Sequence, residues 1–212
     1  SLGRVCVDGI TLNTPAFLVT EENKITVDGK LIPKLQVTRV WRYYKPTGIL
    51  TTHKDPHGRN TVFDSIPKHM PRVISVGRLD IDSEGLLLLT TSGKLARKLE
   101  LPSTGWKRRY RVRALGNPNP KALENLSNGI TISGIKYGPI EAKLDRQQGA
   151  NAWLTMSLQE GKNREIRRIC EHLGLKVNRL IRAAYGPFQL GNLKRGQISE
   201  ISPKIIREQL GE

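Results

Sequence analysis

The 212-residue sequence predicts an α+β fold, a mixed but mostly antiparallel sheet flanked by helices. Three observations carry that expectation. Residues 109–114 alternate cleanly, with Tyr110, Val112 and Ala114 on one side and Arg109, Arg111 and Arg113 on the other, the period of a half-buried strand. Residues 131–135, 139–144 and 152–158 have strand character and are joined by links too short for a crossover, which favours antiparallel pairing. Residues 163–173 place Ile166, Ile169, Cys170 and Leu173 at i, i+3, i+4 and i+7, one apolar helical stripe facing a core.

The remaining elements follow in chain order. An echo, Val7-Asp8-Gly9 and Val27-Asp28-Gly29, puts an Asp-Gly tight turn between short strands twice; it is either a repeat or two unrelated hairpins. Residues 1–36 are too few to bury a core alone and are expected to form a separate segment. No low-complexity linker interrupts the chain from Val40 to Ile201, so residues 37–212 read as one domain. Within it, residues 72–76 suggest a short strand, and 85–90, Gly-Leu-Leu-Leu-Leu-Thr, a strand buried on both faces. Ser92 is placed to cap a helix through Leu95 and Leu99 that Pro102 ends. Asn163 and Gly174 are the expected cap and stop of the amphipathic helix. Ser202-Pro203 opens a last helix that ends near Leu210.

Composition narrows the function. There are 35 Lys and Arg against 19 Asp and Glu, a formal net charge of +16. Such an excess drives a compact fold apart and fits a polyanionic partner, with nucleic acid first. No apolar run approaches 18 residues, which excludes a membrane-spanning helix, and the first residues lack the pattern of a secretory signal. Cys6 and Cys170 cannot make a zinc site by themselves, and the four histidines show no ligand spacing. A cytoplasmic protein without a structural metal is expected. Basic residues cluster at Lys94, Arg97 and Lys98, at 107–113, and at Lys162, Arg164, Arg168, Arg179, Arg182, Lys194 and Arg195. These clusters read as a phosphate-tracking surface whose binding weakens steeply in salt.

Residues 76–85, Val-Gly-Arg-Leu-Asp-Ile-Asp-Ser-Glu-Gly, put three acids and an arginine in a glycine-bounded loop at a strand entrance, where a rigid sheet can present a carboxylate. The same residues suit a turn in which Asp82 and Ser83 bond their own backbone.

Gly77-Arg78-Leu79-Asp80, with Asp82 and Gly85-Leu86-Leu87-Leu88 following, resembles the signature of the bacterial rRNA pseudouridine synthases of the RsuA/RluB group. Lys45-Pro46-Thr47-Gly48, Arg109-Tyr110-Arg111-Val112 and the run Glu160 to Arg168 resemble three further motifs of that family, in the family's order. The stretch 101–106 and residues 178–190 are most similar to its large-subunit (23S) branch. Residues 1–36 resemble the end of an S4-like RNA-binding domain whose helix-loop-helix would precede Ser1.

The resemblance implies the pseudouridine synthase fold and an isomerase that converts a uridine of ribosomal RNA to pseudouridine. No redox change occurs in that reaction, so no cofactor is expected; nor is a membrane partner, and the chain is expected to be a monomer. It implies that Asp80 is the nucleophile or base and that Asp82 holds a more structural position. Tyr110 would stack on the uracil, with Ile166 as apolar floor, and Arg167 would pair with Asp80 to keep it ionised. Arg78 would prop the RNA once the uridine flips out, or else pair with Glu84. Lys45, Arg108, Arg109, Lys162, Arg164 and Arg168 are the expected RNA contacts. Two other readings remain at this point. A non-catalytic RNA-binding or ribosome-assembly protein would suit the charge equally well. A glycosidase pairing Asp80 with Glu84 or Asp82 would leave the charge unexplained.

Overall fold

Asp8-Gly9 and Asp28-Gly29 each place two successive residues at positive φ (50° and 84°, 53° and 73°), the geometry of a two-residue hairpin turn that matches strand twist. In the computed structural model they join β1 (Val5–Val7) to β2 (Ile10–Thr11) and β3 (Ile25–Val27) to β4 (Lys30–Leu31). The strand order is β2-β1-β3-β4, with Cys6 opposite Thr26 at the centre of the β1–β3 pair. The bonds come in matching pairs about that point. Asp8 N–H donates to Lys24 and Asp28 N–H to Arg4; Leu12 donates to Val5 and Ile32 to Ile25. The sequence echo is therefore a repeat, two hairpins related by a local two-fold. The described residues are 3–14, 16–20, 22–32 and 38–210. The chain divides into two units, Ser1–Thr38 and Arg39–Glu212, and the boundary expected after residue 36 lies outside the described residues.

The second unit is built on β5 (Val40–Lys45), β6 (Ile74–Val76), β7 (Glu84–Thr90), α1 (Gly93–Glu100), β8 (Arg108–Leu115), α2 (Pro120–Asn125), β9 (Ile130–Ile132) and β10 (Ile135–Tyr137). It continues with β11 (Ile140–Gln148), β12 (Asn151–Leu158), α3 (Glu165–His172), β13 (Lys176–Tyr185), β14 (Phe188–Gln189), β15 (Ile198–Glu200) and α4 (Pro203–Leu210). The main sheet runs β11-β12-β8-β13-β7-β5-β15, with β14 on β13 and β6 on β7. Among the described strands only β7 and β13 pair in parallel, so the sheet is mixed and mostly antiparallel, as expected. No helix of the described chain is long and apolar enough to cross a membrane.

Burial explains these elements. All seven residues of β7 are buried, because helices and loops cover both sides of it. One side, with Leu86 and Leu88, packs on Leu95, Leu99, Ile206 and Leu210 of α1 and α4; the other, with Leu87 and Leu89, packs on Trp41, Tyr43, Val62 and Leu79. Val112, Ala114, Leu154 and Met156 of β8 and β12 meet the stripe Ile166, Ile169 and Cys170 of α3. Burial pushes the Cys170 thiol up to about 12, so it serves as a small apolar group rather than a nucleophile. Ser92 caps α1 by accepting from Leu95 N–H at 3.2 Å.

Two local expectations are corrected. Residues 131–135 are not one strand: Ser133 and Gly134 both take positive φ and fold the segment into the β9–β10 hairpin. Asn163 does not cap α3; the helix starts one residue later, after Arg164 in the left-handed region at φ 51°.

Candidate active site

Asp80 stands in the loop between β6 and β7, and the loop's backbone is bound on every side. Gly77 N–H donates to Glu100 Oε1 at 2.8 Å, and Leu79 exchanges bonds with the Thr51 hydroxyl at 3.3 and 3.0 Å. Gly48 N–H donates to the Ile81 carbonyl at 2.7 Å and Ser83 N–H to that of Asp80 at 3.1 Å. Beneath the loop, the Lys45 ammonium donates to the carbonyls of Pro46, Asp80 and Ser83 at 3.1, 3.0 and 2.9 Å.

Lys45 was expected to touch RNA, and the structure corrects this: the side chain is fully buried and its three donors are spent on backbone. A lysine placed there shores up the loop and does not face solvent. Burial lowers its pKa to about 8, against the opposing pull of Asp80 and Asp82. Because the folded value lies below the unfolded one, the sign is that of a buried cation. Below pH 8 the fold carries the whole cost of the buried charge, about 3 kcal/mol, and between pH 8 and 10.5 that cost is relieved as pH rises. Denaturant titrations of wild type and Lys45→Met across this interval should show wild type gaining stability with pH relative to the variant; parallel curves would contradict it. Without those donors the loop drifts, and kcat should fall by about 10²-fold.

The carboxylates of the loop have different surroundings. Arg164 forks onto Asp82 at 3.2 and 3.1 Å and stands 3.9 Å from Asp80. Arg167 does not pair with Asp80, contrary to expectation. Its Nε lies 3.2 Å from Asp82 Oδ2, and its other nitrogens donate to the carbonyls of Asp82 at 2.8 Å and Val177 at 3.3 Å. The late start of α3 is the reason: the left-handed turn at Arg164 throws that side chain forward to the acids and leaves Arg167 to tie the loop to β13. Burial alone would raise the Asp82 carboxyl, but Arg164 and Arg167 outweigh it and hold Asp82 below its ordinary value.

Asp80 opens on a cleft of about 730 Å³ whose walls include Arg78, Tyr110, Arg164, Ile166, Arg182 and Tyr185. Tyr110 reaches it from β8 and Ile166 from the buried stripe of α3, so these two expected residues and Asp80 do share one cavity. Arg78 is exposed at its edge and makes no ion pair among the described residues; Glu84 is held by Arg179 at 2.5 Å, Arg195 at 2.9 Å and Tyr44 at 2.9 Å instead. Burial would raise Glu84, and these three donors together bring it below its usual value.

The expected RNA contacts separate. Arg108 is part of the cleft wall, donating to the carbonyls of Gln159 and Glu160 and to the Tyr185 hydroxyl. Lys162 is at the rim, 2.8 Å from Glu160 and 2.6 Å from the carbonyl of Lys136. Arg168 is exposed on α3. Arg109 points to the other face of the sheet, where it donates to Gln189 at 2.5 Å. Arg182, expected on the phosphate-tracking surface, is instead buried; among the described residues its Nη2 has no partner, and its Nε donates to the Leu86 carbonyl at 2.7 Å. Another cleft residue, Glu165, carried no expected role. Glu165 is buried, its pKa raised by that burial; Oε2 accepts from Lys162 N–H at 2.9 Å while Oε1 has no partner. Lys162 has no acceptor side chain to complete a capping box, so no signal in the sequence located Glu165. Among the described residues no three of His, Cys, Asp or Glu gather as metal ligands would.

Comparison with known proteins agrees with this geometry. Residues 39–172 match the family model described as RNA pseudouridylate synthase. An RNA pseudouridine synthase of Rickettsia prowazekii is 54% identical over 98% of this chain and 88% of its own length. The ribosomal large subunit pseudouridine synthase B of Salmonella typhi is 43% identical over 94% of this chain and 71% of its own. A crystal structure of a pseudouridylate synthase superposes with a TM-score of 0.73 at 23% identity, covering 98% of this chain and 89% of that one, which shows the same fold. With the family model spanning most of the chain, and the loop, tyrosine and arginines of its motifs gathered about one cleft, the chain belongs to the RNA pseudouridine synthase family.

Proposed function

We propose that this protein isomerises a uridine of large-subunit ribosomal RNA to pseudouridine, with Asp80 as the reacting carboxylate. One observation carries the assignment of Asp80. Of the four acids lining the cleft, Glu100, Glu160 and Glu165 each accept a hydrogen bond from the protein, and among the described residues none donates to the Asp80 carboxylate. It is the group left available to a substrate. Ionised, it either attacks the ribose carbon and is expelled when carbon five takes its place, or removes a proton from the sugar and returns it as carbon five bonds. In both, the N–C glycosidic bond breaks with its electron pair going to the uracil nitrogen, the uracil turns, and the ribose carbon bonds carbon five. Carbon five then gives up its proton and the freed nitrogen takes one up. The product has the atoms of the substrate, so no oxidant or second substrate enters.

Tyr110 and Ile166 supply the surfaces that hold a detached uracil, a stacking contact of about 1–3 kcal/mol. Arg164 supplies the positive charge near Asp80 that the resemblance had assigned to Arg167. Arg78, Lys162 and Arg168 line or flank the opening and suit phosphates on either side of a flipped nucleotide. The name and identity of the Salmonella enzyme favour large-subunit RNA as the substrate, and a ribosomal substrate favours the cytoplasm. The hairpin pair of the first unit fits the S4-like segment that the sequence suggests.

Uridine tritiated at carbon five provides the test. The purified protein should release tritium from large-subunit RNA and not from small-subunit RNA. Release from the small-subunit RNA alone would overturn the substrate; release from neither, with binding intact, would favour the RNA-binding reading.

A further inference from the structure

The alternation of β8 sends Tyr110 and Val112 to the cleft side and Arg109, Arg111 and Arg113 to the opposite side of the sheet, where all three are exposed. Cross-strand register extends that side over four strands. Arg146, Trp153, Arg113 and Arg179 form one row, from β11 through β12 and β8 to β13; Lys143, Thr155, Arg111 and Ile181 form the next. The Arg111 guanidinium lies over the Trp153 ring, 5.0 Å from its centroid. At a strand spacing of about 4.8 Å, a row of four strands is roughly 14 Å wide.

This side carries charge that the protein does not neutralise. Arg113, Arg146 and Lys143 make no ion pair or side-chain hydrogen bond among the described residues. The nearby acids are already engaged: Glu141 with Lys107, Asp145 with Thr155, and buried Glu84 with Arg179 and Arg195. Arg113 sits directly opposite Arg179, whose charge Glu84 already pairs, so Arg113 faces another cation and no acid across the strands. A phosphate chain would supply the missing counter-charge. The planar forks of the arginines match phosphate oxygens, and Trp153, held by Arg111, adds an aromatic surface of the kind nucleic acid favours.

We propose that this face, centred on Trp153 and Arg113, is a second RNA contact, holding a part of the substrate RNA remote from the uridine being modified. The inference rests on the RNA-modifying reading above. Because the sheet separates this face from the cleft, the two cannot grip the same nucleotides. It contributes affinity for a large folded RNA and nothing to the chemical step.

The test compares Arg113→Glu/Arg146→Glu, and the milder Arg113→Gln/Arg146→Gln, with wild type on two probes. One is a stem-loop just large enough to fill the cleft, and the other is a long transcript of large-subunit RNA containing it. For the long RNA, Kd should rise roughly tenfold in the charge-reversed variant, and the slope of log Kd against log salt should shrink by about two. The stem-loop Kd and kcat should stay at wild-type values. An unchanged Kd and slope on the long RNA would overturn the proposal, as would an equal loss on both RNAs. A loss seen only with assembled ribosomal particles would overturn it in favour of a protein partner. If wild type itself neither bound RNA nor released tritium, the functional reading would fail, a result distinct from all of these.

Discussion

Asp80→Asn is expected to abolish pseudouridine formation while leaving RNA binding within about twofold of wild type. The change keeps the shape of the side chain, and the loop does not depend on the carboxylate for its position. Lys45 and Ser83 hold the Asp80 carbonyl, and Arg164 forks onto Asp82. What is lost is the charge and the basicity. A carboxamide neither attacks the ribose nor takes a proton from it, so kcat should fall by about 10⁴-fold or more, the usual scale for removing a reacting group. Single-turnover tritium release measures the chemistry, and filter binding of the same RNA measures occupancy. Turnover within tenfold of wild type would assign the chemistry to another group.

Gly85→Ala is expected to cost more than about 4 kcal/mol of stability, enough to prevent accumulation of folded protein. Gly85 has φ 108°, and a Cβ built there would lie 2.4 Å from the carbonyl oxygen of Arg182 and 2.6 Å from its nitrogen. Both contacts are with backbone in the neighbouring strand, so no rotamer change relieves them. Gly93→Ala is the control. Its φ is ordinary, and the nearest atom to an added Cβ is 3.9 Å away, at Ile74. There the usual gain of about 0.4–1 kcal/mol from restricting the unfolded chain should appear. Urea titration of the two variants should therefore shift in opposite directions. A Gly85→Ala protein as stable as wild type would mean that β7 and β13 do not approach as closely as described.

Where a segment's own periodicity determines its face, the sequence was sufficient. The alternation in β8 and the apolar stripe of α3 appear in the structure with the expected residues inside. Strand β13 was not anticipated. Register shifts between Val177 and Arg179 and between Arg182 and Ala184 break its alternation, so no period of two runs its length. Lys45 is a different kind of miss. A lysine in a Lys-Pro-Thr-Gly turn reads as solvated, and only the three carbonyls converging from two loops make its burial tolerable. The partner of Arg167 was misplaced by a start that helical-wheel geometry cannot supply. Arg164 lies in the left-handed region without a side-chain cap, and this shifts which arginine faces which acid. Asp80 itself was recognisable only through its flanking motif, since Asp82 and Glu84 offer the same chemistry two and four residues on.

The parallel pairing of β7 with β13 also has a consequence for the order of synthesis. The strand that follows Asp80 gains this neighbour only when residues about a hundred positions later have left the ribosome. Arg182, which roofs Gly85, and Val177, which anchors Arg167, belong to that late strand. Contacts so distant in sequence form slowly. A growing chain that stops short of β13 carries the residues of all four motifs yet has no assembled cleft, so the nascent protein stays without a working site until the last fifth of the chain is made.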